Sequence, residues 1–289
     1  MPGRPTYEGR TLANPDKDIF DQGLAFDLGT LLDRRRMLKL MGWASLFVVA
    51  ACAAPAASAT AGGTSAATSA AAAAAVTATT VIPEETGGPF PGDGSNGPDV
   101  LTQSGVVRRD IRSSFGSASG VAAGVPLTIQ FTILDATNGF KPLANAAIYV
   151  WHCDRDGNYS LYSQGVTTEN YLRGVQAAGS DGVVTFSSVF PACYSGRWPH
   201  IHFEVYPSLT KATDPANRIA TSQIALPEAA CRAVYATDGY GQSVTNLGQV
   251  SLATDLVFGD DLAIHELGTV SGTIASGLNV ALTVPVSTA

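Results

Sequence analysis

The chain has 289 residues, room for one large domain or two small ones. Its 24 acidic side chains outnumber 17 basic ones, giving a net charge of −7 and no basic patch suited to nucleic acid. With 30 Gly, 16 Pro and only 14% charged residues, it reads as short alternating segments between turn residues, an all-β pattern.

In chain order, the first feature is Asp33-Arg34-Arg35-Arg36-Met37-Leu38-Lys39, which resembles a twin-arginine export signal. The apolar run Leu40 to Ala51 behind it is too short to span a bilayer and fits a signal core. Val49-Ala50-Ala51-Cys52 resembles a lipobox, so Cys52 is the expected lipid attachment point and the only expected contact with a membrane. Residues 1–52 are thus read as signal, and export out of the cytoplasm is the expected localisation. Residues 53–82 are mostly Ala, Ser, Thr and Gly, have little to bury, and read as a linker. Residues 83–289 read as one domain.

That domain opens on a long Gly/Pro-rich loop, Thr86 to Asp99, with Pro89 and Phe90 expected at a pocket mouth. Leu127, Ile129, Phe131 and Ile133 alternate with Thr128, Gln130 and Thr132, as in a half-buried strand. Further strands are expected over Ala147 to Cys153, Val183 to Phe186, His200 to Val205 and Gln223 to Leu226. Leu278, Val280, Leu282 and Val284 alternate again near the end. Even spacing predicts a β-sandwich.

Only four histidines occur, and two stand one residue apart in GRWPHIHFEVY. On a strand, Ile201, Phe203 and Val205 would face the core, while His200, His202 and Glu204 share the other face. Two imidazoles on one rigid face are a ready pair of metal ligands. Upstream lies WHCDRDGNYSLY, with Tyr159 after an Asp156-Gly157 turn; between the two lies FPACY, ending at Tyr194. Phenolate oxygens are hard anionic donors that favour ferric iron.

Together, W-H-x-D-x-x-G-N-Y, P-x-x-Y and R-x-P-H-I-H-F resemble the intradiol ring-cleavage dioxygenases. The resemblance implies a β-sandwich holding non-haem Fe(III) through Tyr159, Tyr194, His200 and His202. It implies a catechol-type substrate, cleaved with O2 to a cis,cis-muconate. It also implies that Tyr194 takes up a substrate proton and that Arg197, three residues before the first His, stabilises negative charge on the ring. Tyr162, Trp198 and Arg173 are the expected substrate-binding residues, although a structural role for Arg173, holding a loop, is slightly favoured. Here Arg197-Trp198-Pro199 stands where the family often has R-P-A.

His152 should pack within the sandwich and His265 should lie on the surface. Cys153, Cys193 and Cys231 remain in the domain, and an oxidising compartment allows one disulfide among them, of undecided pairing. The alternative function is a non-catalytic exported module binding aromatics or carbohydrate. A zinc hydrolase would lack a third ligand at a usual spacing. Extradiol cleavage would need a carboxylate beside two His, for which Glu204 is the only candidate on that face.

Overall fold

In the computed structural model, the described residues are 80–288, with two short strand pieces further upstream, Thr6–Tyr7 and Arg10–Thr11, paired antiparallel. The chain divides into two compact units, Met1–Val76 and Thr77–Ala289. The signal and Cys52 expectations, and nearly all of the linker, lie outside the described residues. Ile82 is buried and donates its N–H to the Pro285 carbonyl at 2.8 Å, so packing begins at the last residue read as linker.

Nine strands and two short helices follow: β1 (Pro126–Asp135), β2 (Lys141–Pro142), β3 (Ala147–Trp151), β4 (Arg173–Ala177), β5 (Val183–Val189), β6 (His200–Tyr206), β7 (Ala220–Ala225), α1 (Glu228–Tyr235), α2 (Gly241–Leu247), β8 (Thr269–Thr273) and β9 (Gly277–Val286). One sheet is built around β1. It pairs parallel with β9 and antiparallel with β5 and β2, and β8 extends the sheet beyond β9. The second sheet is wholly antiparallel in the order β4-β3-β6-β7.

The sheets meet through their apolar faces. Leu127, Ile129, Phe131 and Ile133 of β1 join Ile148 and Val150 of β3, Ile201, Phe203 and Val205 of β6, and Ile224 of β7 in one buried cluster. The Phe131 and Phe203 rings meet across the gap at 5.1 Å and 59°. This is the expected all-β sandwich. On β1 the outer residues stay half-exposed, whereas β3, β6 and β7 are buried on both faces. The outer face of the four-stranded sheet is covered by loops, and the chemistry collects there.

Five elements escaped the sequence reading: β2, β4, β8 and the two helices. In β4, Gly174 and Gln176 interrupt any alternation. The helices span 8 and 7 residues, about two turns each, too few for a periodic signal. α1 nonetheless buries Cys231, Val234 and Tyr235 at the i, i+3, i+4 spacing. Among the described residues no helix is long and apolar enough to cross a membrane.

Glu266 is wholly buried beside β7. Its Oε1 accepts from the Ser222 hydroxyl at 3.3 Å, and its Oε2 has no hydrogen-bond partner among the described residues. Burial first, then Glu85 and Asp261 nearby, raise its pKa from 4.5 to about 8. The folded state therefore holds this proton more tightly than the unfolded chain does. The resulting stability is complete below pH 4.5 and is lost as pH rises through about 8. Glu266→Gln is expected to flatten the dependence of the urea midpoint on pH across that window. An unchanged slope would show that Glu266 is already ionised in the folded state.

Candidate metal centre

The site is built on the outer face of β6. Register sets Trp151, His202 and Gln223 side by side on β3, β6 and β7. The Trp151 ring stacks on His202 at 4.9 Å and 3°, and Tyr149 stacks behind Trp151 at 5.1 Å. This ladder fixes the His202 ring. Gly88 caps it from above: its φ is +68°, and a Cβ there would lie 3.3 Å from His202 Cε1. A side chain would thus be strained by the backbone and would press on the imidazole.

Tyr159 arrives from the turn after β3. Asp154 organises that turn, its Oδ1 accepting the N–H of Asp156 and of Asn158, both at 2.9 Å. Gly157 takes φ +90° to close it. Tyr194 arrives from the Pro191–Tyr194 stretch. Ala192 N–H donates to Asp154 at 3.1 Å, Cys193 N–H to Ser243 Oγ at 3.0 Å, and Asn246 Nδ2 to the Cys193 carbonyl at 2.8 Å. Helix α2 thereby anchors the segment that carries Tyr194.

Four polar atoms converge. His200 Nε2 lies 3.1 Å from His202 Nε2, 3.1 Å from Tyr194 Oη and 3.5 Å from Tyr159 Oη. His200 Nδ1 donates to the Trp198 carbonyl at 2.5 Å, which leaves Nε2 as a lone-pair donor aimed into the cluster. One lone pair cannot satisfy three neighbours. Donors about 2.1 Å from a common ion, at right-angled to tetrahedral spacing, lie about 3.0–3.4 Å apart. The set therefore fits a metal ion. His202 Nδ1, on the far side of the ring from the cluster, is buried and has no partner among the described residues.

Electrostatics agree with that fit. Burial holds both imidazoles well below their ordinary pKa; Arg197 adds to this at both, and His200 adds to it at His202. They are therefore neutral, as ligands must be. Burial pushes both phenols up, so a cation is needed to hold them as phenolates.

Arg197 is buried against the same face. Its Nε donates to Asp255 at 3.0 Å and its Nη2 to Gln223 Oε1 at 2.7 Å. Neither Asp255 nor Gln223 was anticipated. Gln223 carries the alternation of its strand, but only strand pairing reveals His202 as its neighbour. Asp255 is remote in sequence and gives no local signal.

Two expected substrate contacts are placed elsewhere. Arg173 is buried, and all five of its N–H groups are used: by Ser160 Oγ, by the Pro91, Phe90 and Ser160 carbonyls, and by Tyr149 Oη. It clamps the entrance loop to the sheet and has no donor left for a ligand. Trp198 packs in the sandwich core and donates Nε1–H to the Leu226 carbonyl at 2.9 Å, so it is a core aromatic and not a cleft wall. Tyr162 is half-buried, with its ring 5.1 Å from Phe90. Its hydroxyl accepts from Gly92 N–H and donates to Asn96. Phe90 in turn lies 5.1 Å from Tyr159.

His152 bonds the Cys153 carbonyl and Ser188 Oγ, both at 2.7 Å, inside the fold, and His265 is exposed. Cys153, Cys193 and Cys231 are all buried free thiols, so the expected disulfide does not form. Glu204 is engaged by Tyr206 Oη at 2.7 Å and Arg218 at 3.2 Å. Among the described residues no three His, Cys, Asp or Glu side chains group around a metal position, which disfavours two-His-one-carboxylate chemistry.

A family model described as a dioxygenase matches residues 96–201. The chain is 40% identical over 53 residues to a chlorocatechol 1,2-dioxygenase of Rhodococcus opacus, covering 18% of this chain and 21% of that protein. It is 34% identical over 96 residues to a catechol 1,2-dioxygenase of Acinetobacter lwoffii, covering 27% and 34%. The chain thus spans about a fifth to a third of the length of these relatives. An intradiol ring-cleavage dioxygenase structure from Tetranychus urticae shares the fold at TM-score 0.58 and 21% identity, over 72% of this chain and 95% of that one.

Proposed function

We infer that this relative of the intradiol ring-cleavage dioxygenases is itself a non-haem Fe(III) enzyme that opens a catechol-type ring with O2 to a cis,cis-muconate. The observation that carries this reading is the convergence of Tyr159, Tyr194, His200 and His202, two phenols and two neutral imidazoles. These four would hold the iron. Bound there, a ferric ion would supply Lewis acidity and a template for a catecholate and O2.

The chain's own residues divide the remaining work. Tyr194 Oη is the half-buried phenol of the pair, whereas Tyr159 is buried, so Tyr194 is the one placed to take a proton from a catechol hydroxyl. Arg197 is the fixed cation beside the centre and would stabilise negative charge on the ring oxygens. Phe90 and Tyr162 offer aromatic surface to the ring at the mouth. The Thr86–Gly88 turn, held by the Gln223 amide at 2.8 Å, shields His202 from water.

We further propose export through the Asp33–Lys39 signal, with lipid attachment at Cys52. Substrate would then be met outside the cytoplasm. The test is the visible spectrum of purified, iron-supplied protein, before and after catechol is added under nitrogen. A broad tyrosinate-to-iron band that moves to longer wavelength supports the reading. A colourless protein with iron supplied would replace it with a non-catalytic binding module.

A further inference from the structure

Asp255 lies 58 residues from Arg197, yet its side chain is 0% exposed and sits against it. One carboxylate takes four bonds. Oδ2 accepts Arg197 Nε–H at 3.0 Å and Trp198 N–H at 2.6 Å. Oδ1 accepts the N–H groups of Val257 at 2.8 Å and Phe258 at 3.1 Å. A second edge of the guanidinium is held by Gln223 Oε1 at 2.7 Å. Gln223 is itself oriented by its amide bond to the Thr86 carbonyl at 2.8 Å, and it is the cross-strand neighbour of His202. The guanidinium is therefore fixed along two edges beside His202.

The same carboxylate reaches the ligands by two further routes. It holds the Trp198 peptide, whose carbonyl takes the His200 Nδ1 proton. It also seats Phe258, whose ring lies 5.8 Å from the Arg197 guanidinium carbon and 6.4 Å from the His200 ring. An unpaired arginine samples many rotamers, and charge stabilisation depends on fixed geometry. We propose that Asp255 is a positioning residue that aims the Arg197 guanidinium at the Tyr159–Tyr194–His200–His202 centre. The proposal rests on the function inferred above.

The test uses iron-loaded full-length protein and a double-mutant cycle. Asp255→Asn removes the charge and turns an N–H donor toward Arg197 or Trp198. It is expected to lower kcat by about 10–100-fold, the usual cost of losing a partner that orients an active group. KM for catechol should stay within about threefold, because the lost interaction belongs to the transition state. In an Arg197→Gln background the same change should cost less than about threefold more, since the residue it acts through is gone.

A readout independent of turnover is the Arg197 Nε–H resonance of 15N-labelled protein. It should be protected from exchange in the wild type and lose protection in Asp255→Asn. Equal loss of kcat in both backgrounds, or a folded Asp255→Asn protein with unchanged kcat, would overturn the proposal. Should Asp255→Asn fail to fold, Asp255→Glu keeps the charge while shifting its position. A lowered kcat there supports the proposal, and an unchanged one overturns it. A wild-type protein that takes iron but cleaves no catechol would overturn the functional reading instead. Nε–H exchange would then still decide whether Asp255 fixes Arg197.

Discussion

Replacing His202 with alanine is expected to abolish coloured iron loading and ring cleavage while leaving the sandwich folded. His202 Nε2 is one of the four converging donors, and its ring is held between Trp151 and the Gly88 turn. Loss of an outer partner of a metal ligand typically costs 10–100-fold, so removal of a ligand itself should weaken iron binding by more than about 100-fold. The side chain lies on the face opposite the sandwich core, so the fold keeps its main apolar cluster. Tyr162→Phe is the matched control. It removes a hydroxyl that bonds Gly92 and Asn96 of the entrance loop, and iron should still load. Iron titration with the visible band as readout, alongside catechol turnover, decides the point. A His202→Ala protein with full colour and turnover would remove His202 from the ligand set.

Phe203→Ala is expected to be the most damaging single change to stability. Phe203 is wholly buried, one residue from each of His202 and Glu204, and its ring meets Phe131 of the opposite sheet at 5.1 Å. Truncating a buried Phe typically costs about 3–5 kcal/mol, through lost transfer energy and the cavity left behind. Typical domains have about 5–15 kcal/mol in total, so about a fifth or more of the stability is at stake. The damage should propagate to the metal centre, because β6 is the strand that presents both imidazoles. Denaturant unfolding of the iron-free protein reads the effect without interference from ligand binding. A loss under about 1 kcal/mol would mean that the sheets can close around the missing ring.

Much of this centre was legible in the primary structure because strand geometry is strictly periodic. Alternation through His200-Ile201-His202-Phe203 assigns faces without tertiary information, and the sheet has the imidazoles and the apolar residues on the expected sides. Tyr159 and Tyr194 were legible only through spacing, each following a turn whose residues are visible in the chain. Contacts made across long separations were not legible. Arg173 bonds carbonyls 82 and 83 residues upstream, so a residue expected at the substrate is a loop clamp. Trp198 shows why adjacency misleads: it is two residues from His200, yet the chain turns its indole into the core toward Leu226. Asp255 and Gln223 needed the strand register and a loop 58 residues away. The three thiols depend on the same kind of information, since chain order says nothing of which sulfurs approach.

The centre also explains why its surroundings are so heavily constrained. With neutral imidazoles and protonated phenols, the charged groups beside the metal-free centre are the buried Arg197 and its partner Asp255. A bound cation would turn the two phenols into phenolates, whose negative charge offsets part of its own, and would release two protons. The Asp255 carboxylate balances the arginine in the meantime.

The most direct measurement is the product of a single aerobic turnover of catechol by iron-loaded protein under 18O2, read by mass spectrometry. The expected product is a cis,cis-muconate carrying two labelled oxygen atoms, one in each new carboxyl group. A ring-opened aldehyde would place the cleavage outside the two hydroxyls and contradict intradiol chemistry. Unreacted catechol, from protein whose iron and tyrosinate band are both in place, would contradict catalysis altogether.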